Sequence, residues 1–219
     1  ARTRQLIEKT LGEDMGFPEK AKPQNVYQGV DHFGKYQSTD EIYDAFDKLT
    51  LTAYQPSLFL PDSQQKAKKG AKSDWEDNVN RERFLVKMMG ILFMKRLESS
   101  WFSCMLTVKK VLDVHEQTLQ KVVEYKEHKR NGEIDIDMPD EDENFDTDDI
   151  FTLRKGTIRL SDMKNLGGFE AGLRYNVNRL NEIYKSLQAF EEDYRNGFEQ
   201  DLKMEELIRI LNEKQQAIA

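Results

Sequence analysis

Between Asn80 and His128 the chain contains no proline, and Leu97, Trp101, Met105, Val108, Leu112, His115, Leu119 and Val122 return every three or four residues. That spacing lays one apolar stripe along a helix, and without proline the hydrogen-bond ladder has no forced break. The pattern predicts one long helix or two collinear ones, with Gly90 the only weak point. About 45 residues at 1.5 Å each would span roughly 65 to 70 Å, longer than a compact domain is wide, so such a helix must protrude or be broken. A second stripe, Phe169, Leu173, Val177, Leu180, Tyr184, Leu187, Phe190 and Tyr194, predicts a long return helix that stops at Asn196 and Gly197. Phe198, Leu202, Leu207, Ile210 and Leu211 predict a further helix after it. The expected architecture is mainly α: a long antiparallel helical hairpin or bundle, with smaller helices and irregular segments at its base and at most a minor β element.

The shorter elements are legible from punctuation. Residues 1–37 carry Gly12, Gly16, Pro18, Pro23, Gly29 and Gly34, and are expected to be mostly irregular connection. From Ser38, a cap-like Ser or Thr with Glu41 following precedes Ile42, Tyr43, Phe46 and Leu49 in helical spacing. Pro56 and Pro61 bracket SLFL and interrupt any longer helix. QQKAKKGAKSDWED, with Lys66, Lys68, Lys69 and Lys72, is expected to be a solvated basic linker. Asn131 and Gly132 end the long helical pattern and open an acidic loop at about 131–149. Beyond it, Ile150, Leu153, Ile158 and Leu160 are expected in a short hairpin or docked extended segment.

Several classes of function are disfavoured. The apolar run Phe84 to Met94 has 11 residues, includes Lys87 and is closed by Lys95 and Arg96, whereas a spanning helix needs roughly 20 apolar residues. ARTRQLIEKT at the start has no apolar signal-peptide core, and the expected location is cytoplasmic. The single cysteine, Cys104, cannot make an internal disulfide and is expected to be a small core hydrophobe. The net charge is -7, but Glu133 to Asp149 alone holds ten acidic residues and no Lys or Arg; the rest of the chain has 30 acidic against 33 basic residues. A protein that is acidic overall and locally neutral does not cling to nucleic acid over its whole surface, yet leaves room for a local basic face.

No nucleotide or metal motif stands in the sequence. KKGAKS around Gly70 lacks the first glycine of a phosphate-binding loop and has alanine between Gly70 and Lys72. An EF-hand reading from Asp140 would put Phe145 at the sixth position and Phe151 at the twelfth, where glycine and glutamate are needed. His32, His115 and His128 are far apart, and His115 falls on the apolar stripe as a core histidine would. No serine or cysteine nucleophile sits in an elbow-like context. The chain is therefore expected to carry no cofactor and no catalytic machinery of its own.

KRLESSWFSCMLTV, residues 95–108, resembles a signature of large bacterial ATP-dependent helicases of the Swi/Snf-related branch, in which a basic-Arg-Leu-Glu-Ser-Ser phrase is followed by an aromatic and a helical continuation. LTLTAYQPSLFLPD, residues 49–62, resembles a segment preceding it in the same proteins, with Ala53 where a basic residue is common. ARTRQLIEKTLGEDMGFPEKAKP is similar to the block after the first RecA-like motor lobe, and DLKMEELIRILNEKQ to the phrase leading into the second. The resemblance implies a helical insertion between two motor lobes. Residues 1–37 would then be the irregular edge of the preceding lobe, and 38–219 the helical insertion domain. ATP and magnesium would be held by the parent protein's lobes, and its partner would be double-stranded DNA. Lys and Arg on helix surfaces neutralise phosphates without reading sequence; the candidates are Arg2, Arg4, Lys95, Arg96, Lys109 and Lys110. The competing expectation is a helical scaffold or adaptor that binds another protein through a protruding hairpin.

Overall fold

The computed structural model describes residues 32–60, 74–128 and 160–216 together with Thr10 and Lys22, the side chains of 74–78 and 128 excepted. Five α-helices carry the described residues: α1 Thr39–Asp47, α2 Asp74–Ser99, α3 Trp101–His128, α4 Leu166–Arg195 and α5 Leu202–Gln216. Short 3-10 turns lie at Thr52–Tyr54, Pro56–Phe59 and Leu160–Asp162. The mainly-α expectation holds, and the only β feature among the described residues is an isolated antiparallel bridge between Phe33 and Tyr36. The acidic run, the basic linker up to residue 73 and the expected hairpin up to residue 159 lie outside the described residues, while Asp74 to Asp77, expected as the end of that linker, form the first turn of α2.

Local chemistry explains the helix ends. Ser38 Oγ accepts from Glu41 N at 3.3 Å while Glu41 Oε2 accepts from Gln37 N at 2.8 Å, so α1 starts with two backbone donors satisfied. Asn165 Oδ1 takes the Gly168 amide at 2.9 Å and starts α4. At the far end Phe198 N reaches back to Asp193 O at 2.9 Å across Gly197, whose φ of +76° is the left-handed conformation such a stop requires.

Within the long helical stretch the sequence pattern is corrected at one place. The expected continuous or collinear helix is broken, and the break is at Ser100 rather than at Gly90, which stays inside α2 with open space where a Cβ would stand. In a continuous helix residues 93 and 104 would lie about 16 Å apart along the axis. Instead Cys104 Sγ comes within 3.6 Å of Phe93 O, so α3 turns back from α2. The stripes of both helices then face a shared core, with Leu85, Met89, Phe93 and Leu97 from one and Met105, Val108, Val111 and Leu112 from the other. α3 and α4 run antiparallel: Trp101 meets Phe190, Lys109 lies over Tyr184, and Lys126 pairs with Glu170. Phe46 of α1 stacks on Phe93 with ring centroids 5.0 Å apart, closing the core from the side.

Phe33 and Tyr36 reach the same core through a two-residue turn at Gly34 and Lys35. Gly34 has φ +58°, and a Cβ there would stand 2.6 Å from the Ser186 carbonyl, so the turn needs glycine for both conformation and clearance. Ser186, buried in α4, donates to Phe33 O and accepts from Lys35 N, which fixes the turn on the helix.

The irregular segment 50–59 is pinned by one buried polar side chain from each long helix. From α4, Asn176 Oδ1 accepts from Thr50 N and Leu51 N, both at 3.0 Å. Its Nδ2 stands 2.8 Å from each of Thr50 Oγ1, Thr52 Oγ1 and Gly172 O, which share its two N–H donors. From α3, His115 Nε2 accepts from Ala53 N at 3.4 Å while Nδ1 donates to Val111 O at 2.8 Å. From α2, Glu82 takes Ser57 N at 3.1 Å and Ser57 Oγ at 2.7 Å. The segment needs these partners because its turns leave amides unpaired in a buried place, and each orphan would cost about 1 to 3 kcal/mol. Asn176 also holds Leu51 at φ +48°, a conformation a branched-chain residue adopts only under constraint.

Asn176→Ala should cost about 2 to 4 kcal/mol because it strands several buried groups at once. Urea unfolding reads this directly, and a loss below about 0.5 kcal/mol would mean that the segment is held by other means. His115 gives a pH signature. Burial lowers its pKa from 6.5 to about 4, against the smaller opposing effect of its bond to Val111. Its contribution is full above the unfolded pKa, falls as the pH drops below about 6.5, and levels off near pH 4, where the folded form also takes the proton. The total is about 3 kcal/mol. An NMR titration of the ring with a midpoint near 6.5 in the folded chain would contradict this.

Candidate functional site

The phrase KRLESSWF forms the corner between α2 and α3. Ser100 is the single non-helical residue there and serves both helices: its N–H donates to Arg96 O at 2.7 Å, its carbonyl accepts from Cys104 N at 3.0 Å, and its Oγ caps the Ser103 amide at 3.3 Å. Arg96 Nη1 reaches across the bend to Ser103 Oγ at 3.3 Å. Cys104, fully buried, packs into the inside of the corner, and burial pushes its thiol pKa up to about 12, only partly offset by Arg96. A thiol so placed is a packing group, as its apolar surroundings in the sequence suggested.

The chain that leaves α4 is tied to this corner. Trp101 Nε1 donates to Asp201 Oδ2 at 2.9 Å, while Asp201 Oδ1 accepts from Met204 N at 3.0 Å and so caps α5. Two residues on, Lys203 Nζ donates to Glu98 O at 2.5 Å and Ser99 O at 3.1 Å. These are last-turn carbonyls of α2, where a cation complements the helix dipole. The indole itself is buried against Phe190 and Tyr194, at centroid distances of 5.1 and 5.8 Å. His32 Nε2 meets Glu199 Oε1 at 2.9 Å and holds the same loop from the other side.

A cleft of about 230 Å³ opens at the corner between Tyr43, Glu98, Ser99, Trp101, Asp201 and Lys203, among others. Its charged groups and the tyrosine are engaged: Tyr43 Oη donates to Glu98 Oε1 at 3.2 Å, and Asp201 and Lys203 are bonded as above. Among the described residues no group of three or more His, Cys, Asp or Glu gathers as a metal site. The corner fixes where α5 begins.

The candidate basic residues separate. Lys95 is exposed on α2, and Arg96 is half-buried and turned into the bend. Lys109 is bonded to Asp113, whose carboxylate raises its pKa, and lies 5.7 Å from the Tyr184 ring centroid. Lys110 is exposed on α3, while Arg2 and Arg4 lie outside the described residues. Sequence reasoning missed Asp201, Lys203, Asn176 and Glu82. A cap rule applied to Asp201 could have found its bond to Met204; no local signal announces its bond to Trp101, 100 residues earlier.

No protein-family model matches the chain, and no curated protein or solved structure does so either.

Asp201→Ala removes the cap of α5 and the partner of the Trp101 indole together. Amides in α5 should then exchange at least about fivefold faster, from a loss of about 1 kcal/mol or more, with those of α3 and α4 little changed. Hydrogen exchange read by mass spectrometry checks it. Equal acceleration in α3 and α4 would show that Asp201 stabilises the whole domain rather than the joint.

Proposed function

We propose that this chain is the helical insertion between the two RecA-like lobes of a bacterial Swi/Snf-related ATP-dependent helicase or translocase. It would link and orient the lobes and contact the DNA backbone, with ATP and magnesium held on the lobes. The observation that carries the reading is that the phrase with the most specific resemblance, KRLESSWF, is also the joint of this domain, with Trp101 tied to Asp201 at the start of α5. The second resembling phrase, residues 49–62, contains the segment pinned by α2, α3 and α4. Both phrases thus do structural work, which fits a part that transmits force between lobes. Lys95, exposed beside the joint, is the candidate phosphate contact that the fold leaves most available.

The scaffold reading has one observation in its favour. α5 buries none of its residues, and Met204, Leu207, Ile208 and Leu211 stand about half exposed at helical spacing. In the motor reading that face is covered by the lobe that follows.

The reading frame around the chain and the ATPase activity of its product test the proposal. A phosphate-binding loop before the chain and a second RecA-like lobe after it are expected. Trp101→Ala should lower DNA-stimulated ATP hydrolysis several-fold while basal hydrolysis persists, and the 219-residue chain alone should not hydrolyse ATP. A frame with neither motor motif sinks the proposal and favours the scaffold; stimulated hydrolysis unchanged by Trp101→Ala removes the force-transmitting role.

A further inference from the structure

The outward face of α2 gathers four exposed cations with no carboxylate bonded to any of them among the described residues. Several cations on the other helices stand beside acids: Lys126 and Arg174 on Glu170, Arg195 on Glu191, Arg209 on Glu206. On α2, Arg81, Arg83, Lys87 and Lys95 are exposed and make no ion pair among the described residues. The acid that belongs to this stretch, Glu82, is on the opposite face, buried and bonded to Ser57. Glu98 closes the far end and is engaged by Tyr43.

Apolar groups stand among these cations. Phe84, Lys87, Ile91 and Lys95 follow one another at steps of three, four and four, which places them on one face. Phe84 is 58% and Ile91 47% exposed. The core contacts of α2 are made by the other face, through Val79, Leu85, Met89, Phe93 and Leu97, so neither residue is exposed for want of an inward position.

We infer that this face of α2 holds single-stranded nucleic acid, with phosphates on Arg81, Arg83, Lys87 and Lys95 and a base stacked on the Phe84 ring. Charge complementarity calls for a polyanion. A second copy of the same face would bring like charges together. An acidic protein would have to bury Lys87 between Phe84 and Ile91 at the centre of its interface, where lysine is depleted. A duplex would satisfy the cations but keep its bases stacked inside, leaving the ring against the backbone. An unpaired strand satisfies both sets of groups, because its bases can leave the backbone and cover an aromatic ring. The chain's net charge of -7 does not prevent this, since at physiological salt charges more than about 8 Å away are largely screened. The motor reading is needed only for the source of such a strand, the one displaced when a duplex is opened; the binding itself stands apart from it.

The test is fluorescence anisotropy of the complete chain with labelled mixed-sequence DNA of about 20 nucleotides, the matching RNA strand and the matching DNA duplex. The single strand should bind more tightly than the duplex, with a log affinity against log salt slope of about -3 for four phosphate contacts. Lys87→Gln with Lys95→Gln should roughly halve that slope. Phe84→Ala should weaken single-strand binding at least about fivefold and duplex binding less than about twofold. Arg209→Gln, on α5, should change neither. All these positions are exposed, so unchanged thermal unfolding confirms that binding alone is altered. A preference for the DNA or the RNA strand identifies the source and supports the inference either way. No binding, tighter binding of duplex, or displacement by polyglutamate with no effect of Phe84→Ala overturns it. The reading frame and the ATPase assay decide the motor proposal separately, so either can fail while the other stands.

Discussion

Three helices are held in one arrangement by what they each give to the same short stretch of chain. Asn176, His115 and Glu82 come from α4, α3 and α2, and accept backbone amides at positions 50 and 51, at 53, and at 57. Apolar packing tolerates sliding and repacking, because contact area changes gradually as faces shift. Buried hydrogen bonds do not, because a displaced partner leaves an orphan. The segment thus sets the register of the three helices, and the aromatic core around Phe46, Phe93 and Phe190 fills the space so defined.

With that register set, the bend at Ser100 has its consequence. A domain with an unbroken rod from Asn80 onward could not bring Glu82 and His115 to neighbouring turns of one segment. The break folds the two stripes onto a shared core and places the α2 carboxyl end, the α3 amino end and the α5 cap within reach of one another. Lys203 and Asp201 then join helix ends of opposite partial charge, the cation at carbonyls and the carboxylate at an amide. The exit direction of the last helix is an output of the corner.

The distribution of charge separates scaffold from surface. On α3, α4 and α5 the paired cations sit beside carboxylates, where exposed pairs add little stability and mainly keep the surface neutral. Among the described residues, the face of α2 keeps its cations without acidic partners beside two exposed apolar side chains. A surface left with both unsatisfied charge and uncovered apolar area is arranged for a partner that supplies the complement of each.

Much of the fold was legible along the chain. The stripes at helical spacing, the cap at Ser38 and the stop at Asn196 and Gly197 are set by neighbours within a few residues, so the sequence determined the helices, most of their ends and the core positions of His115 and Cys104. The failure at Ser100 has the same origin. KRLESSWF keeps helical spacing across the bend, and only the return of Cys104 to Phe93 shows that the helix cannot run on. Asn176 and Glu82 read as ordinary polar residues in sequence because their partners are up to 126 positions away. Of the α2 face, the resemblance points to Lys95 as a contact and not to Arg81, Arg83 and Lys87, since the lack of an acidic partner among the described residues is a property of space rather than of spacing. The sequence by itself determined which segments are helical and which side of each is apolar, because periodicity and capping act through contacts a turn apart. Tertiary structure alone decided where the long helix breaks, which polar groups are buried together and which charges stay unpaired, because those depend on groups brought together from distant parts of the chain.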